Sequence, residues 1–437
     1  MYNRWISMII GICFISYISA QCGLQSGPMV GAGDLLEVTV WIQTKCEQKV
    51  QMTYWESGFH DLTQQSAIVM TSADHGYTAH LIADKVEPGK KYEYIIFIDD
   101  REQAFPYPTS FKTQSLWQYR TEPQDFRFVV GSCTYINEPA YDRPGKPYGG
   151  GYEIFSKIYE DHPDLMLWIG DNIYLREPDW NTPTGIYHRY THTRSLPEFQ
   201  PLLASTHHYA IWDDHDYGPN DSDRSFWGKE NTLKAFKDFW ANPNYGVGGT
   251  EGITGSFTWE DCQFFMMDDR WYRAARLGTD YYGEKQLAWL LDVLRYSKAT
   301  YKFICSGGQV LSDVVDPENY MFFAAERKAL LDSLDKYNTT GVVFLTGDHH
   351  HAEVSKMTTP DGDVFYDITA SPLTSTSYDH TDEPNHLRLP GSIFGVRNYA
   401  VLDVSGPLKD RKCKLTLKDG GGKVLYELNI DNAKKQK

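Results

Sequence analysis

Within residues 211–221 the chain gathers Asp213, Asp214, His215, Asp216, Asn220 and Asp221: four carboxylates, an imidazole and a carboxamide in eleven positions. An apolar, strand-like run leads directly into them. Carboxylates buried in that number repel one another and raise each other's pKa unless a cation compensates them. Oxygen-rich ligand sets favour calcium, magnesium, manganese or oxidised iron. Taken alone, the segment also reads as a solvated Asp-rich turn capping the next helix. Three other turns follow apolar runs in the same way: Gly131-Ser132-Cys133, Gly170-Asp171-Asn172-Ile173-Tyr174 and Gly347-Asp348-His349-His350-His351. Each has an ordinary explanation by itself, as a Gly-Asp turn, a small buried thiol or a polar loop. Three adjacent imidazoles cannot all face one way, so at most two of them would be ligands. Together the turns have one consequence: ligands of open α/β sheets collect beyond the carboxyl ends of the strands, so all four would meet in one crevice.

The elements that must position these turns begin near residue 126. Apolar runs at 126–130, 165–169, 209–212, 264–267, 301–305 and 342–345 read as strands. They alternate with segments of 3-to-4 apolar spacing at 152–161, 223–240, 284–296 and 318–337, which read as helices. This is an α/β pattern. It closes with β segments at 398–404 and 413–430, the latter turning at 418–423. Upstream, residues 24–113 read as β throughout, with strand-like runs at 36–42 and 92–98 and a turn at 87–90. Short strands at that spacing predict a small sandwich. The expected division is residues 1–20 as a signal peptide, 21–113 as an N-terminal β-sandwich, 114–124 as a polar, Pro-bounded linker and 125–431 as the catalytic unit.

Formal net charge is −16, and the only basic cluster is the tail Lys434-Lys435-Gln436-Lys437. A surface that neutralises nucleic-acid phosphates is therefore not evident. An acidic protein that binds an anion must reverse its local field, and bound cations do so. The N-terminus has Arg4, an apolar run to Ile18 and then Ser19-Ala20, the layout of a cleaved secretory signal. No later stretch reaches the roughly 20 apolar residues of a membrane span. The expected location is secreted or periplasmic. Gln21 is not the small residue that precedes a lipidated cysteine, which argues against an anchor at Cys22. Export permits disulfides, and Cys22 with Cys46 is the favoured pair because both lie in the small N-terminal region.

In order and spacing these motifs resemble the calcineurin-like metallophosphoesterases, and more closely the PhoD-like alkaline phosphatase D family. The matching pieces are Gly131-Ser132-Cys133, Gly170 to Tyr174, Trp212 to Asp216 with Asn220, Asp268-Asp269-Arg270-Trp271-Tyr272-Arg273 and Gly347 to His350. The resemblance implies a metallophosphoesterase-like layered sandwich of β-sheets flanked by helices (α/β, α+β), preceded by a small immunoglobulin- or fibronectin-like all-β sandwich. It implies hydrolysis of a phosphate ester by a metal-activated water. Asp171 would be shared between metals, and Cys133, Tyr174, Asp348 and His350 would complete a site for Fe3+. Asp171, Asp214 and Asn220, with Asp213 as a fourth, would hold divalent ions such as Ca2+. His215 would act on the transferring phosphoryl group or its leaving oxygen, and Arg270 is a candidate phosphate contact. Ser132-Cys133 and Asp348-x-His350 replace the superfamily's Asp-x-His and Gly-His-x-His, which speaks against a plain di-zinc or di-manganese centre. Three functions compete: a phosphomonoesterase, a phosphodiesterase or phospholipase acting on lipid or polymer head groups, and a non-enzymatic protein that binds ions and a partner. Loops 141–151 and 179–187, rich in aromatic residues, would form a substrate wall or an anchored lid.

Overall fold

The computed structural model describes residues 22–275 and 278–432. The expected signal segment lies outside the described residues. Cys22 and Cys46 form a disulfide. Two antiparallel sheets occupy the N-terminal region. One joins Leu24–Gly33, Val38–Thr44 and Thr78–Ala83. The other is built on Lys49–Glu56 and Lys91–Ile98, flanked by four short strands. Along Lys91–Ile98 every second residue faces inward, so Tyr92, Tyr94, Ile96 and Ile98 meet Val40, Ile42, Met52 and Leu81 in a small core. That alternation is the half-buried strand pattern.

Two six-stranded sheets follow. The first has the order His207–Ile211, Leu165–Ile169, Phe126–Gly131, Asn398–Ser405, Lys412–Asp419, Val424–Ile430. Its first three strands are parallel and its last three join antiparallel. The second runs Gly255–Trp259, Cys262–Met266, Lys302–Cys305, Val342–Thr346, Val364–Ala370, Ala352–Thr358. The sheets pack face to face, with Phe128 of the first edge-on to Phe264 and Phe303 of the second at 5.4 and 4.8 Å between ring centres. The two-residue period divides the second sheet's side chains between two cores. Phe264, Phe303, Val343 and Leu345 face the first sheet. Phe265, Ile304, Val342 and Phe344 face the helices Glu284–Tyr296 and Ala324–Lys336 through Leu290, Leu294, Leu330 and Leu334. Strands buried on both faces read as unbroken apolar runs, which is why the sequence exposes them.

The sequence-based elements lack the strands Gly255–Trp259, Ala352–Thr358 and Val364–Ala370, and their helices differ from the structure in three places. The helix expected over 223–240 begins only at Lys229, because Asp223 turns the chain by accepting from the Ser225 backbone. The helix expected over 318–337 begins at Ala324 after a 3-10 turn, and Glu318 is held outside it by Arg270 and Arg273. Most of loop 179–187 gives way to a helix, Pro183–Arg194, capped by Thr182, whose hydroxyl accepts from Gly185 N at 3.2 Å, with proline in the first turn. Its buried face mixes Ile186 and Tyr190 with Arg189, Thr193 and Arg194, so no clean apolar stripe announces it. Arg189 pairs with Asp179 and Glu138, and Arg194 lies over Trp240 with its Cζ 4.1 Å from the ring centre.

We propose to place the boundary between the two units in residues 114–124, which carry neither helix nor strand. The segment is pinned: Gln114 donates its amide to the Gly33 and Thr258 carbonyls, and Glu260 accepts from Ser115 and Gln124. No helix among the described residues is long and apolar enough to cross a membrane.

Candidate metal centre

Phe126–Gly131, Leu165–Ile169 and His207–Ile211 run parallel and in register, so the turns at Cys133, Asp171 and Asp213-Asp214 leave the same edge of the sheet. The end of Val342–Thr346 in the second sheet meets them: a Cβ on Gly347 would stand 2.3 Å from Ser132 Oγ. The turns are tight. Cys133, Asp171, Asp348 and His350 all have left-handed backbone, with φ of 59°, 51°, 61° and 56°. Such conformations are costly for residues with a side chain and collect at functional sites. Gly170, at φ +79°, is required for a second reason: a Cβ there would lie 2.5 Å from that of Asp213.

Side chains far apart in the chain converge beyond this edge. Cys133 Sγ is 3.6 Å from Asp171 Oδ2 and equally far from the Asp348 carbonyl oxygen. Ligand atoms of Cys133, Asp171 and His350 lie within 4.8 Å of one another, as do those of Asp171, Asp214 and His215, and those of Asp213, Asp214 and Asp348. Asp171 and Asp214 each belong to two of these groups. Tyr174 Oη is 3.1 Å from His350 Nε2. His350 Nδ1 lies 2.6 Å from the Thr376 carbonyl, a contact that puts the proton on Nδ1 and leaves the Nε2 lone pair facing the cluster. His215 packs against Tyr174 with ring centres 4.2 Å apart and planes tilted by 33°, and its backbone donates to Asp171.

The Asp-rich segment divides its labour. Asp213 and Asp214 point into the cluster, whereas Asp216 accepts from the backbones of Asn172 and Asp213 and fixes the turn. Asn220 is exposed and donates to Asp221 at 2.6 Å, while the Asp221 backbone donates to Asp214. Among the three imidazoles, His351 is committed to buried Glu353 at 2.9 Å. His349 Nε2 lies 3.9 Å from Asp348, and only His350 joins the thiol.

Burial, reinforced by the charges of neighbouring carboxylates, pushes Asp171 and Asp348 well above the usual carboxylate range. Burial likewise raises the Cys133 thiol and the Tyr174 phenol, with the charge on Asp171 adding to both. Burial works to raise Asp214 too, but His215 and Arg270 outweigh it and hold it low. Asp213 Oδ2, Asp214 Oδ1 and His215 Nδ1 are sealed from water without a hydrogen-bond partner. Leaving such atoms unmatched is costly, and anionic oxygen, thiolate, phenolate and imidazole donors around one space fit metal cations.

Arg270 is wholly buried, and its guanidinium faces Asp213, Glu318 and, at 3.9 Å, Asp269. In this arrangement it braces carboxylates instead of facing an open crevice. Arg270→Met is therefore expected to destabilise the chelated protein by about 3–5 kcal/mol, the range for breaking a buried pair and stranding its partner. An unchanged denaturant midpoint would show that these carboxylates do not depend on it. The sequence reading missed Glu318, Ser371 and Tyr378. Ser371 donates to Cys133 Sγ at 3.2 Å and accepts from the His350 backbone. It ends the strand Val364–Ala370, so the strand-end rule would have found it had that strand been recognised. Tyr378 stacks on His350 at 5.3 Å and lies outside every motif.

A family model described as PhoD-like phosphatase matches residues 128–392. No curated protein matches the chain. Among solved structures, that of PhoD superposes over 93% of this chain and 92% of its own, with a TM-score of 0.73 and 16% identity. The purple acid phosphatase PPD1 from yellow lupin (Lupinus luteus) seeds covers 92% of this chain and 74% of its own, with a TM-score of 0.66 and 12% identity. At those identities the likeness to the two structures is one of fold.

Proposed function

The chain belongs to the PhoD-like phosphatase family and is a metal-dependent phosphoesterase; from that premise we propose an exported hydrolase of phosphomonoesters or phosphodiesters. Its family membership sets aside the non-enzymatic reading. The observation that carries the proposal is the convergence of Cys133, Asp171, Tyr174 and His350 on one buried space beside Asp213, Asp214 and Asp348. In this reading Cys133, Asp171, Tyr174, Asp348 and His350 hold Fe3+. Asp171, Asp213, Asp214 and Asn220 hold calcium or a similar divalent ion. When bound, such cations polarise phosphoryl oxygens and make a water nucleophilic near neutral pH. The residues of the chain supply placement: the strand-end turns fix the ligands, Asp216 locks two of those turns by accepting from the Asn172 and Asp213 backbones, and Asp268 does the same for the turn that carries Arg270. Export rests on the N-terminal sequence alone.

His215 is the proton carrier of the proposal. Burial outweighs the Asp214 carboxylate and leaves its pKa below the ordinary imidazole value; the role is argued from its place beside Asp171, Asp214 and Tyr174. His215→Ala is expected to lower kcat by about a hundred-fold or more and to leave metal content nearly intact. Loss of metal together with activity would make it a ligand instead.

Turnover of nitrophenyl phosphate against its bis-ester, with elemental analysis and a visible spectrum of the native protein, tests the reading. Thiolate and phenolate on ferric iron absorb in the visible. A colourless, iron-free preparation with full turnover would overturn the iron assignment, and absence of hydrolysis of both esters by metal-loaded protein would overturn the function.

A further inference from the structure

The metal cluster explains where cations would sit but not what meets the substrate's remaining negative charge. Arg270 is not available for it, being enclosed by its own carboxylates. The other buried arginines are mostly committed in the same way: Arg189 faces Asp179, Arg273 faces Glu318, and Arg411 faces Asp261. Arg194 has no carboxylate, but it lies over Trp41 and Trp240 and donates to the Phe239 carbonyl.

Arg176 differs from all of these. It is 7% exposed and follows Tyr174 by two positions. Its guanidinium carbon stands 4.7, 5.7 and 5.5 Å from the ring centres of Tyr135, Tyr148 and Tyr174, and Nε donates to Tyr135 Oη at 3.2 Å. Among the described residues it makes no ion pair, and its terminal nitrogens are not among the atoms sealed from water without a partner. Tyr174 links this arrangement to the site: its ring contacts Arg176 and also packs, tilted, against His215 at 4.2 Å between ring centres.

Tyrosine rings hold a guanidinium by cation–π contact without neutralising it, and an arginine fork matches two phosphoryl oxygens. We propose that Arg176 is a substrate-binding residue that grips non-bridging oxygens of the phosphoryl group beside His215. The proposal rests on the phosphoesterase reading above and assigns the anion contact to Arg176 instead of Arg270.

The test compares the metal-loaded full chain with Arg176→Met and Arg176→Lys variants, measuring metal content, KM for nitrophenyl phosphate and the inhibition constant of inorganic phosphate. Arg176→Met should raise both constants about ten- to a hundred-fold, leave metal content and visible spectrum unchanged, and lower kcat by less. Arg176→Lys, which keeps the charge without the fork, should fall between. An unaltered phosphate constant in Arg176→Met, with wild type hydrolysing normally, overturns the role and leaves the phosphoesterase reading standing. So does loss of metal together with phosphate affinity, which would make Arg176 a brace for the tyrosines. A wild-type protein that neither hydrolyses the ester nor is inhibited by phosphate overturns both.

Discussion

Asp171→Asn is expected to leave a folded protein with about a thousandth of wild-type turnover or less. Asp171 is shared by two of the three ligand groups, the one with Cys133 and His350 and the one with Asp214 and His215. Removing its charge therefore weakens both halves of the centre in a single step. The fold has no reason to suffer. The carboxyl is buried among other carboxylates and held well above its usual range by that burial, so a neutral isostere relieves repulsion. Asparagine also keeps an oxygen for the His215 backbone, which Asp171 Oδ1 accepts at 3.2 Å. Chelated mutant and chelated wild type should melt at similar temperatures, whereas bound metal per chain should fall. A purified, folded variant with most of its turnover would remove Asp171 from the mechanism.

The sequence made the strand ends legible and left the use of each ligand unread. Leu165–Ile169 and Val342–Thr346 are buried at every position, so they show as plain apolar runs and the residues just after them stand out. Which carboxylate does what is a different matter, because partners lie far along the chain. Arg270 meets Asp213 across 57 positions and Glu318 across 48, and Tyr174 meets His350 across 176. No local pattern distinguishes Asp214, which enters the cluster, from Asp216, which closes a turn two residues later. The helix Pro183–Arg194 was hidden for a related reason. Buried Arg189 and Arg194 are paired with Asp179, Glu138 and Trp240, and periodicity cannot anticipate buried charges matched by distant partners. The Cys22–Cys46 pair was legible because both cysteines fall in the same small region.

Chelation should lower the melting temperature by an amount that grows with pH. In the chelated fold, burial and neighbouring charges raise Asp171 and Asp348 above their unfolded value of 3.8. A group whose folded pKa is raised contributes stability that is fully present below the unfolded pKa and is lost as pH climbs toward the folded one. The chelated protein thus loses stability from about pH 4 upward, as these carboxyls are forced to ionise beside one another. Cations must displace the same protons, so their affinity rises with pH. Buried histidines act in the opposite sense. Burial lowers His207 and His350 to about 4, and a group lowered in the fold costs stability as pH falls through its unfolded value of 6.5. His207 lies outside the cluster and affects loaded and chelated forms alike, and His350 is already neutral at pH 5, which is why the gap between the two melting temperatures is the quantity to follow. With free metal about a thousand-fold above its dissociation constant the linkage is near 4 kcal/mol, which for a protein of this size is about 5 °C at pH 8. At pH 5 the gap should shrink markedly. A gap that is equal at both pH values, or wider at pH 5, would mean that the metal sits away from these carboxylates.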